Sequence, residues 1–368
     1  MPLYLKSIGF SVIFIGILEG VAEATAGLSK GYFGKLSDNS RKRVPFVQAG
    51  YFLSAISKPM MGMLVYPLWI FLARTFDRLG KGIRTGARDA ILSDEAKPAT
   101  KGKIFGFHRS MDTLGAVLGP VLALLYLYFH PLDYRPLFFI AVIPGLIAVL
   151  ISFCLKDKKP TIAAEQKTAG FFSFLAYWKE SPVIYRRVVI GLLAFALFNS
   201  SDMFLLLKAK QSGLSDPLVI GAYIFYNLIY ALSSFPLGII ADKIGLKRMF
   251  IFGLAIFAAV YFGMSVNANI YAFIGLFLLY GIYAAATEGI SKAWISNITD
   301  KKDTATAIGT YAGFQSICAM LASSMAGLIW FLFGAAATFM VTGIATVMVM
   351  AYFLIATPAA VLPLVDQQ

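Results

Sequence analysis

Four of the acidic side chains inside apolar segments long enough to cross a lipid bilayer are candidates to carry a proton. They are Glu19 and Glu23 in the first such segment, Asp112 in the fourth and Asp202 in the sixth. An ionisable group at membrane depth is costly, so it is a functional candidate by default. Desolvation there favours the neutral form of a carboxylate, which lets it load and release a proton.

Glu23 ranks first among these candidates. Counted from Gly34 at about 1.5 Å per residue, it lies roughly 16 Å from the cytoplasmic end of its helix, near the middle of an apolar core about 30 Å thick. No basic residue lies three or four positions from Glu23, whereas Arg109 lies one turn from Asp112 and favours its charged form. The competing interpretation is that Glu23 only hydrogen-bonds a neighbouring helix.

Glu19 and Asp202 each allow a second interpretation. Lys58, on the next helix, falls at nearly the same depth as Glu19, so the two could form a structural ion pair or serve substrate binding or coupling. Asp202 ends the polar run 199–202, which interrupts an apolar helix. We expect this run to face the bundle interior or its cavity, with Asp202 nearer the outer face.

The composition requires membrane helices to position these residues. The chain has 368 residues, of which 59% are hydrophobic and 14% charged, against about 45–50% and about 25% in soluble domains. The fold class is therefore all-α, and the chain is a polytopic membrane protein. A spanning helix needs about 20 apolar residues, and eleven segments meet this: 10–33, 44–62, 65–82, 104–129, 136–155, 187–207, 217–240, 249–266, 270–289, 307–331 and 336–357.

The position of the basic residues explains the formal charge of +13. They flank the apolar segments, as the positive-inside rule expects, so nucleic acid is not a predicted partner. The basic stretches should be cytoplasmic, and they are 30–43, 74–103, 156–187, 243–248 and 292–302. On this topology the C-terminus is cytoplasmic and Met1 is outside.

Other chemistries find little support in the sequence. Cys154 and Cys318 lie inside apolar runs, and the two histidines, His108 and His130, are far apart. We therefore expect no disulfide, no metal site and no cofactor. No phosphate-binding loop of the G-x-x-x-x-G-K-[ST] type occurs, and no hydrolytic constellation indicates an enzyme.

A loop pattern, G-x-x-x-D followed by basic residues, occurs twice. The copies begin at Gly34 with Asp38 and at Gly238 with Asp242. The glycine lets two helices approach closely, and the aspartate can cap a neighbouring helix N-terminus. A shift of about two hundred residues superposes the copies and indicates an internal repeat. It predicts an N-terminal transmembrane half (1–155), a central cytoplasmic loop (156–186) and a C-terminal transmembrane half (187–368).

The same shift leaves the first half one helix short. Met1 then falls on Leu205, late in the helix that opens the second half. We therefore expect the first half to lack its first helix, either because the recorded start is internal or because the chain is truncated.

Both loops resemble the signature of the major facilitator superfamily. The second copy matches it through Gly238, Asp242, Gly245, Lys247 and Arg248. The first copy also carries Arg43, and in it Arg41 stands where the family usually has glycine. Glycine is better suited than arginine to the tight turn that is usual at this position. The resemblance implies two six-helix halves around a central cavity, with Asp38 and Asp242 holding their cytoplasmic ends together in the outward-open state.

Two further stretches carry the resemblance. Gly106, Gly115, Gly119 and Pro120, with Ala123 in the last glycine position, are similar to the superfamily's antiporter motif. Gly115 and Gly119 are expected to allow close helix contact, and Pro120 to bend the helix.

A looser likeness covers Arg74 to Gly82, the stretch that closes its helix before the largest basic loop. Asp77 in this stretch is expected to pair with Arg41 or Arg43 at the cytoplasmic gate. Glu288 and Lys292, one turn apart, are expected to form a local pair.

These expectations favour a secondary active transporter. The first hypothesis is proton-coupled export, by antiport and alternating access, of a small amphipathic compound. The alternatives are a metabolite importer or facilitator, and a truncated relative that does not transport. We expect a monomer in the plasma membrane, the cytoplasmic membrane if the source is bacterial, with protons, a small-molecule substrate and the lipid bilayer as partners.

Overall fold

The computed structural model describes residues 12–157, 170–266 and 269–357, together with Leu5 and Gly9. Every regular element in these residues is helical. The helices are α1 (Val12–Ser40), α2 (Val44–Met63), α3 (Pro67–Glu95), α4 (Lys101–Phe129), α5 (Arg135–Ile140), α6 (Val142–Ser152), α7 (Tyr177–Glu180), α8 (Val183–Ala196), α9 (Met203–Gln211), α10 (Asp216–Ile244), α11 (Leu246–Val266), α12 (Ile270–Asn297) and α13 (Thr304–Ala356).

The predicted all-α class is confirmed, and each predicted segment coincides with one helix or with parts of two. Segment 136–155 contains α5 and α6, and segment 187–207 contains α8 and α9 on either side of the polar run 199–202. The long helix α13 is broken at Gly334, whose φ of 83° is non-helical, between the two predicted segments there. The side chain of Glu19 lies outside the described residues.

Six stretches of the described chain are long and apolar enough to cross a membrane by length and composition. They are Pro98–Phe129, Arg135–Ser152, Pro217–Ile244, Leu246–Val266, Tyr271–Asn297 and Lys301–Ala356.

The prediction that α3 ends near residue 82, before a long basic loop, is wrong. Helix α3 continues to Glu95, and no proline interrupts the chain between Pro67 and Pro98. Asp77 and its basic neighbours lie on the side of this helix and can contact α1 and α2.

The described residues pack into two compact units. The first unit is formed within 1–91, 120–181 and 300–317, and the second within 92–119, 182–299 and 318–368. Helices α4 and α13 each contribute one part to each unit. The sequence-based division into halves around a central loop stays a prediction.

The first glycine of each repeated loop packs directly on the backbone of another helix. In the first unit a Cβ on Gly34 would collide with the carbonyl oxygen of Ala305. In the second unit the carbonyl oxygen of Gly238 lies 2.6 Å from where a Cβ of Gly102 would stand. Only glycine permits so close an approach of two helices.

The turns after these two glycines differ in residue type but share a positive φ. Arg41 has φ of 55°, so the first loop keeps a left-handed residue although it lacks the family's usual glycine. Gly245, at the end of α10, has φ of 101°. A non-glycine residue in the left-handed region costs about 1–2 kcal/mol.

We therefore expect Arg41→Gly to raise the free energy of unfolding by about 1 kcal/mol and Gly245→Ala to lower it by a similar amount. Thermal unfolding of purified protein in detergent measures both changes. Lys42→Gly is the control, because no positive φ is found at Lys42. An equal gain from Lys42→Gly would show that loop flexibility rather than relief of strain explains the result.

Candidate functional site

A cavity of about 380 Å³ lies within the second unit. We call it the tyrosine cavity, because tyrosines of α10 and α12 form much of its wall. Residues of α4, of the α8–α9 junction and of α13 complete it. Its charged and aromatic lining comprises Arg109, Asp202, Glu288, Tyr226, Tyr230, Tyr280 and Tyr283.

One guanidinium in this cavity serves two carboxylates. Arg109 donates from Nη2 to Oε2 of Glu288 at 3.2 Å and from Nη1 to Oδ2 of Asp112 at 3.3 Å. Its Nε donates to the hydroxyl of Tyr230. The pairing of Arg109 with Asp112 agrees with their spacing on α4. Arg109 therefore links the Asp112 carboxylate of its own helix α4 to the Glu288 carboxylate of α12.

Glu288 has a partner that the sequence did not indicate. The structure pairs Glu288 with Arg109 of another helix, and the local pair with Lys292 stays a prediction. Exposure of the three side chains also differs: 28% for Arg109, 31% for Glu288 and 53% for Asp112. Asp112 is thus the carboxylate of this cluster most open to its surroundings.

Asp202 lies where the predicted interruption occurs. The helix stops at Ala196 and restarts at Met203, because asparagine, serine and aspartate compete with the helix for backbone hydrogen bonds. The hydroxyl of Tyr226 donates to Oδ2 of Asp202. The ring of Tyr226 meets that of Tyr280 edge to face, with centroids 5.3 Å apart. The polar run thus lines the cavity, as its position in an apolar helix predicted.

The tyrosines and the role of Glu288 were not found from the sequence. A signal was present, because Tyr226 and Tyr230 on α10, and Tyr280 and Glu288 on α12, are separated by whole turns. Polar groups repeated at that spacing along an apolar helix indicate a face turned to the interior of a bundle.

The ion pairs of the first unit correct one sequence expectation. Lys58 Nζ lies 2.7 Å from Asp77 Oδ1, and Arg74 Nη1 lies 3.3 Å from Asp77 Oδ2. Lys58 therefore pairs with a residue of α3, while its pairing with Glu19 stays a prediction. Asp77 takes Lys58 and Arg74 as partners in place of the expected arginines of the first loop.

Glu23 also has a basic neighbour. Arg78 Nη1 of α3 lies 3.3 Å from its Oε2, and the side chain of Glu23 is 43% exposed. Spacing along α1 could not reveal this residue, because α3 supplies it. The reason for ranking Glu23 above Asp112 no longer holds, since each carboxylate lies beside one arginine.

Asp38 caps a helix that is distant in sequence. Its Oδ2 accepts from the backbone N–H of Thr306 at 2.6 Å and from the Thr306 hydroxyl at 2.7 Å, in the first turn of α13. Its Oδ1 lies 2.7 Å from Nη1 of Arg43, and only 4% of the side chain is exposed. The carboxylate thus meets both a guanidinium and the positive end of a helix dipole.

Asp242 makes the equivalent cap in the second unit. It accepts from the backbone N–H groups of Gly102 and Lys103, each at 2.7 Å, in the first turn of α4. The basic residues of this loop point elsewhere: Lys247 donates to the carbonyl of Thr357, and Arg248 Nη1 lies 3.4 Å from the carbonyl of Ile244. Asp38 is therefore the more heavily bonded of the two caps.

The antiporter-like stretch divides into two parts. A Cβ on Gly106 would lie 2.5 Å from the carbonyl oxygen of Ser234, so this glycine packs against α10. At Gly115 and Gly119 no described atom lies within 4 Å of such a Cβ, which contradicts the expected close contact there. Pro120 lies inside α4. No group of three or more potential ligands that could hold a metal ion occurs in the described chain.

Comparison with known proteins gives consistent matches. A family model described as Major Facilitator Superfamily matches residues 1–229 and 209–366. The chain is 32% identical over 336 residues to the uncharacterized MFS-type transporter MJ1317 of Methanocaldococcus jannaschii, covering 90% of this chain and 83% of that protein. It is 24% identical over 205 residues to the quinolone resistance protein NorA of Staphylococcus aureus, covering 54% and 52%.

Among solved structures, the human organic anion transporter MFSD10 (TETRAN) matches with a TM-score of 0.77. The match covers 96% of this chain and 88% of that one, at 16% sequence identity. At that identity the likeness concerns the fold, and it agrees with the helical order described above.

Proposed function

The chain belongs to the Major Facilitator Superfamily of membrane transporters, and we propose that it exports a small amphipathic compound in exchange for protons. It is a multi-pass membrane protein, and the proteins it resembles are transporters rather than enzymes. The observation that carries the proposal is the tyrosine cavity, where one arginine lies between two carboxylates. We place the protein in the plasma membrane as a monomer.

The position of this cluster suits proton coupling. Arg109 links the Asp112 carboxylate of α4 to the Glu288 carboxylate of α12, so a proton that binds either carboxylate weakens a link between two helices at the cavity. Glu23 pairs with Arg78 away from the lining of the tyrosine cavity. We therefore place Asp112 and Glu288 ahead of Glu23 as carriers and keep Glu23 as the second candidate.

Two observations, a sequence motif and a related protein, favour export over import. The stretch from Gly106 to Pro120 is similar to the antiporter motif, and a relative that shares about half the chain is named for quinolone resistance. The alternative, a metabolite importer or facilitator, differs in proton flux and can be separated from export by experiment.

The test uses purified protein in liposomes with an imposed pH gradient and norfloxacin or ethidium as the trial substrate. We expect substrate-linked proton flux, reported by a trapped pH dye. Counterflow without proton flux would indicate a facilitator, and neither signal would indicate a relative that does not transport.

Variants identify the carrier in the same assay. Asp112→Asn or Glu288→Gln should lower gradient-driven transport by at least about tenfold. Substrate exchange at equal pH should be retained, because substrate binding survives while the proton site is lost. Glu23→Gln should keep gradient-driven transport. The reverse pattern, loss in Glu23→Gln alone, would return Glu23 to first place.

A further inference from the structure

We infer that the tyrosine cavity binds its substrate as an organic cation, with an ammonium group held by the Asp202 carboxylate and by the surrounding tyrosine rings. The inference rests on the proposed function for the cavity's role as the substrate site. It assigns Asp202 to substrate recognition rather than to the proton.

The charges of the lining favour a cation over an anion. Each nitrogen of the Arg109 guanidinium already donates to a group of the protein: Tyr230, Asp112 or Glu288. An anionic substrate would have to displace two carboxylates from it. Asp202, by contrast, has no lysine, arginine or histidine paired with it among the ion pairs of the described residues.

The only side-chain donor that the structure assigns to Asp202 within the described chain is neutral. The Tyr226 hydroxyl donates to its Oδ2. An ammonium group makes a charge-assisted hydrogen bond to a carboxylate, about twice as strong as one between neutral groups. An incoming ammonium can therefore take the place of this hydroxyl on the carboxylate.

The rings around Asp202 can contribute a second attraction. Tyr226 packs edge to face with Tyr223, centroids 5.5 Å apart, and with Tyr280 at 5.3 Å. The ring centroids of Tyr280 and Tyr283 also lie 5.3 Å apart. Tyr226, Tyr280 and Tyr283 are at most 5% exposed and pack on one another, so an ammonium group on Asp202 reaches the parts of these rings that border the cavity, where cation–π attraction adds to the ion pair. The cavity volume of about 380 Å³ is in the range of small-molecule sites.

The experiment measures equilibrium binding to the full chain in nanodiscs at one pH, so it needs neither transport nor a gradient. The probes are three compounds on one scaffold: 2-phenylethylammonium, neutral 2-phenylethanol and anionic 3-phenylpropionate. We expect the ammonium to bind tightest by about tenfold or more. Asp202→Asn should remove that preference while the affinity for 2-phenylethanol stays the same.

Two further variants separate recognition from a structural role. Tyr226→Phe removes the competing hydroxyl and should keep or increase ammonium affinity, whereas a merely structural Asp202–Tyr226 pair would make it behave like Asp202→Asn. Asp133→Asn is the matched control, because Asp133 also accepts from a tyrosine, Tyr126, at 3.1 Å but lies outside the cavity.

Equal binding of the three probes, tighter binding of the anion, or no binding of the ammonium at millimolar concentration would each overturn the inference. Proton-linked transport of a neutral compound would leave the proposed function intact while the inference failed. Ammonium binding without proton flux would support the inference and contradict the proposed proton coupling.

Discussion

Asp38→Asn is expected to remove most transport activity and to lower the free energy of unfolding by about 2 kcal/mol or more, with the protein still inserted in the membrane. The carboxylate is 4% exposed and meets Arg43, the backbone N–H of Thr306 and the hydroxyl of Thr306. An asparagine has one acceptor oxygen, so its NH₂ group would face a donor. Arg43 would also lose its ion pair with this carboxylate, and loss of one partner of a largely buried pair is costly.

Asp242→Asn should lower the free energy of unfolding by less than Asp38→Asn does. Asp242 accepts two backbone N–H groups, and an asparagine can still accept one of them, so about 1 kcal/mol of capping and dipole energy is at stake. We propose that both caps hold the cytoplasmic ends of their helices closed while the cavity faces outward, and transport should fall in both variants.

The measurements are thermal unfolding in detergent and substrate turnover in liposomes, with membrane insertion checked by fluorescence of a fused reporter. Asp38→Asn combined with Arg43→Gln should recover part of the lost stability, because no unpaired charge remains. Unchanged turnover in both single variants would exclude the gate role. Equal loss of stability in the two would exclude the proposed difference between the caps.

The sequence predicted the features that are set within a single helix, such as where it lies and where it is interrupted. Apolar segment lengths located the helices, including the break of α13 at Gly334 and the interruption before Asp202. The repeated G-x-x-x-D pattern indicated an aspartate able to cap a helix. It could not say that Asp38 would cap α13 and Asp242 would cap α4, because a cap depends on which helix begins nearby in space.

Partners on different helices were the main errors. Spacing along α1 left Glu23 without a base, yet α3 brings Arg78 to 3.3 Å. Depth along the membrane also gave no indication that Lys58 pairs with Asp77, because that contact depends on how α2 and α3 are rotated about their axes. Depth follows from counting residues, whereas rotation and helix order follow from packing of the whole bundle.

The longest error in secondary structure had a different cause. The basic stretch after Arg74 reads as a cytoplasmic loop because charge marks the end of a membrane segment. Charge does not end a helix, however, and α3 continues to Glu95. A helix can leave the membrane without stopping, so hydropathy gives the limits of the apolar segment rather than those of the helix.

Arg109→Gln is expected to abolish proton-coupled transport and to lower stability by about 2 kcal/mol. The guanidinium is 28% exposed and lies between Glu288 at 3.2 Å and Asp112 at 3.3 Å. A neutral amide would remove both ion pairs of the cluster, and with them the ionic link between α4 and α12. Proton uptake by either carboxylate could then no longer make or break that link, so coupling should be lost.

Two companion variants separate coupling from stability. Arg109→Gln with Glu288→Gln removes both charges of one pair and should restore most of the stability, yet coupling should stay lost because the ionic link between α4 and α12 is gone. Arg109→Lys keeps the charge but cannot direct three nitrogens at three acceptors, so coupling should fall less than in Arg109→Gln. Proton flux and substrate flux, measured together in liposomes, give the coupling ratio. Full coupling in Arg109→Gln would rule out the cluster as the site of proton exchange and leave Glu23, beside Arg78, as the remaining carrier to test.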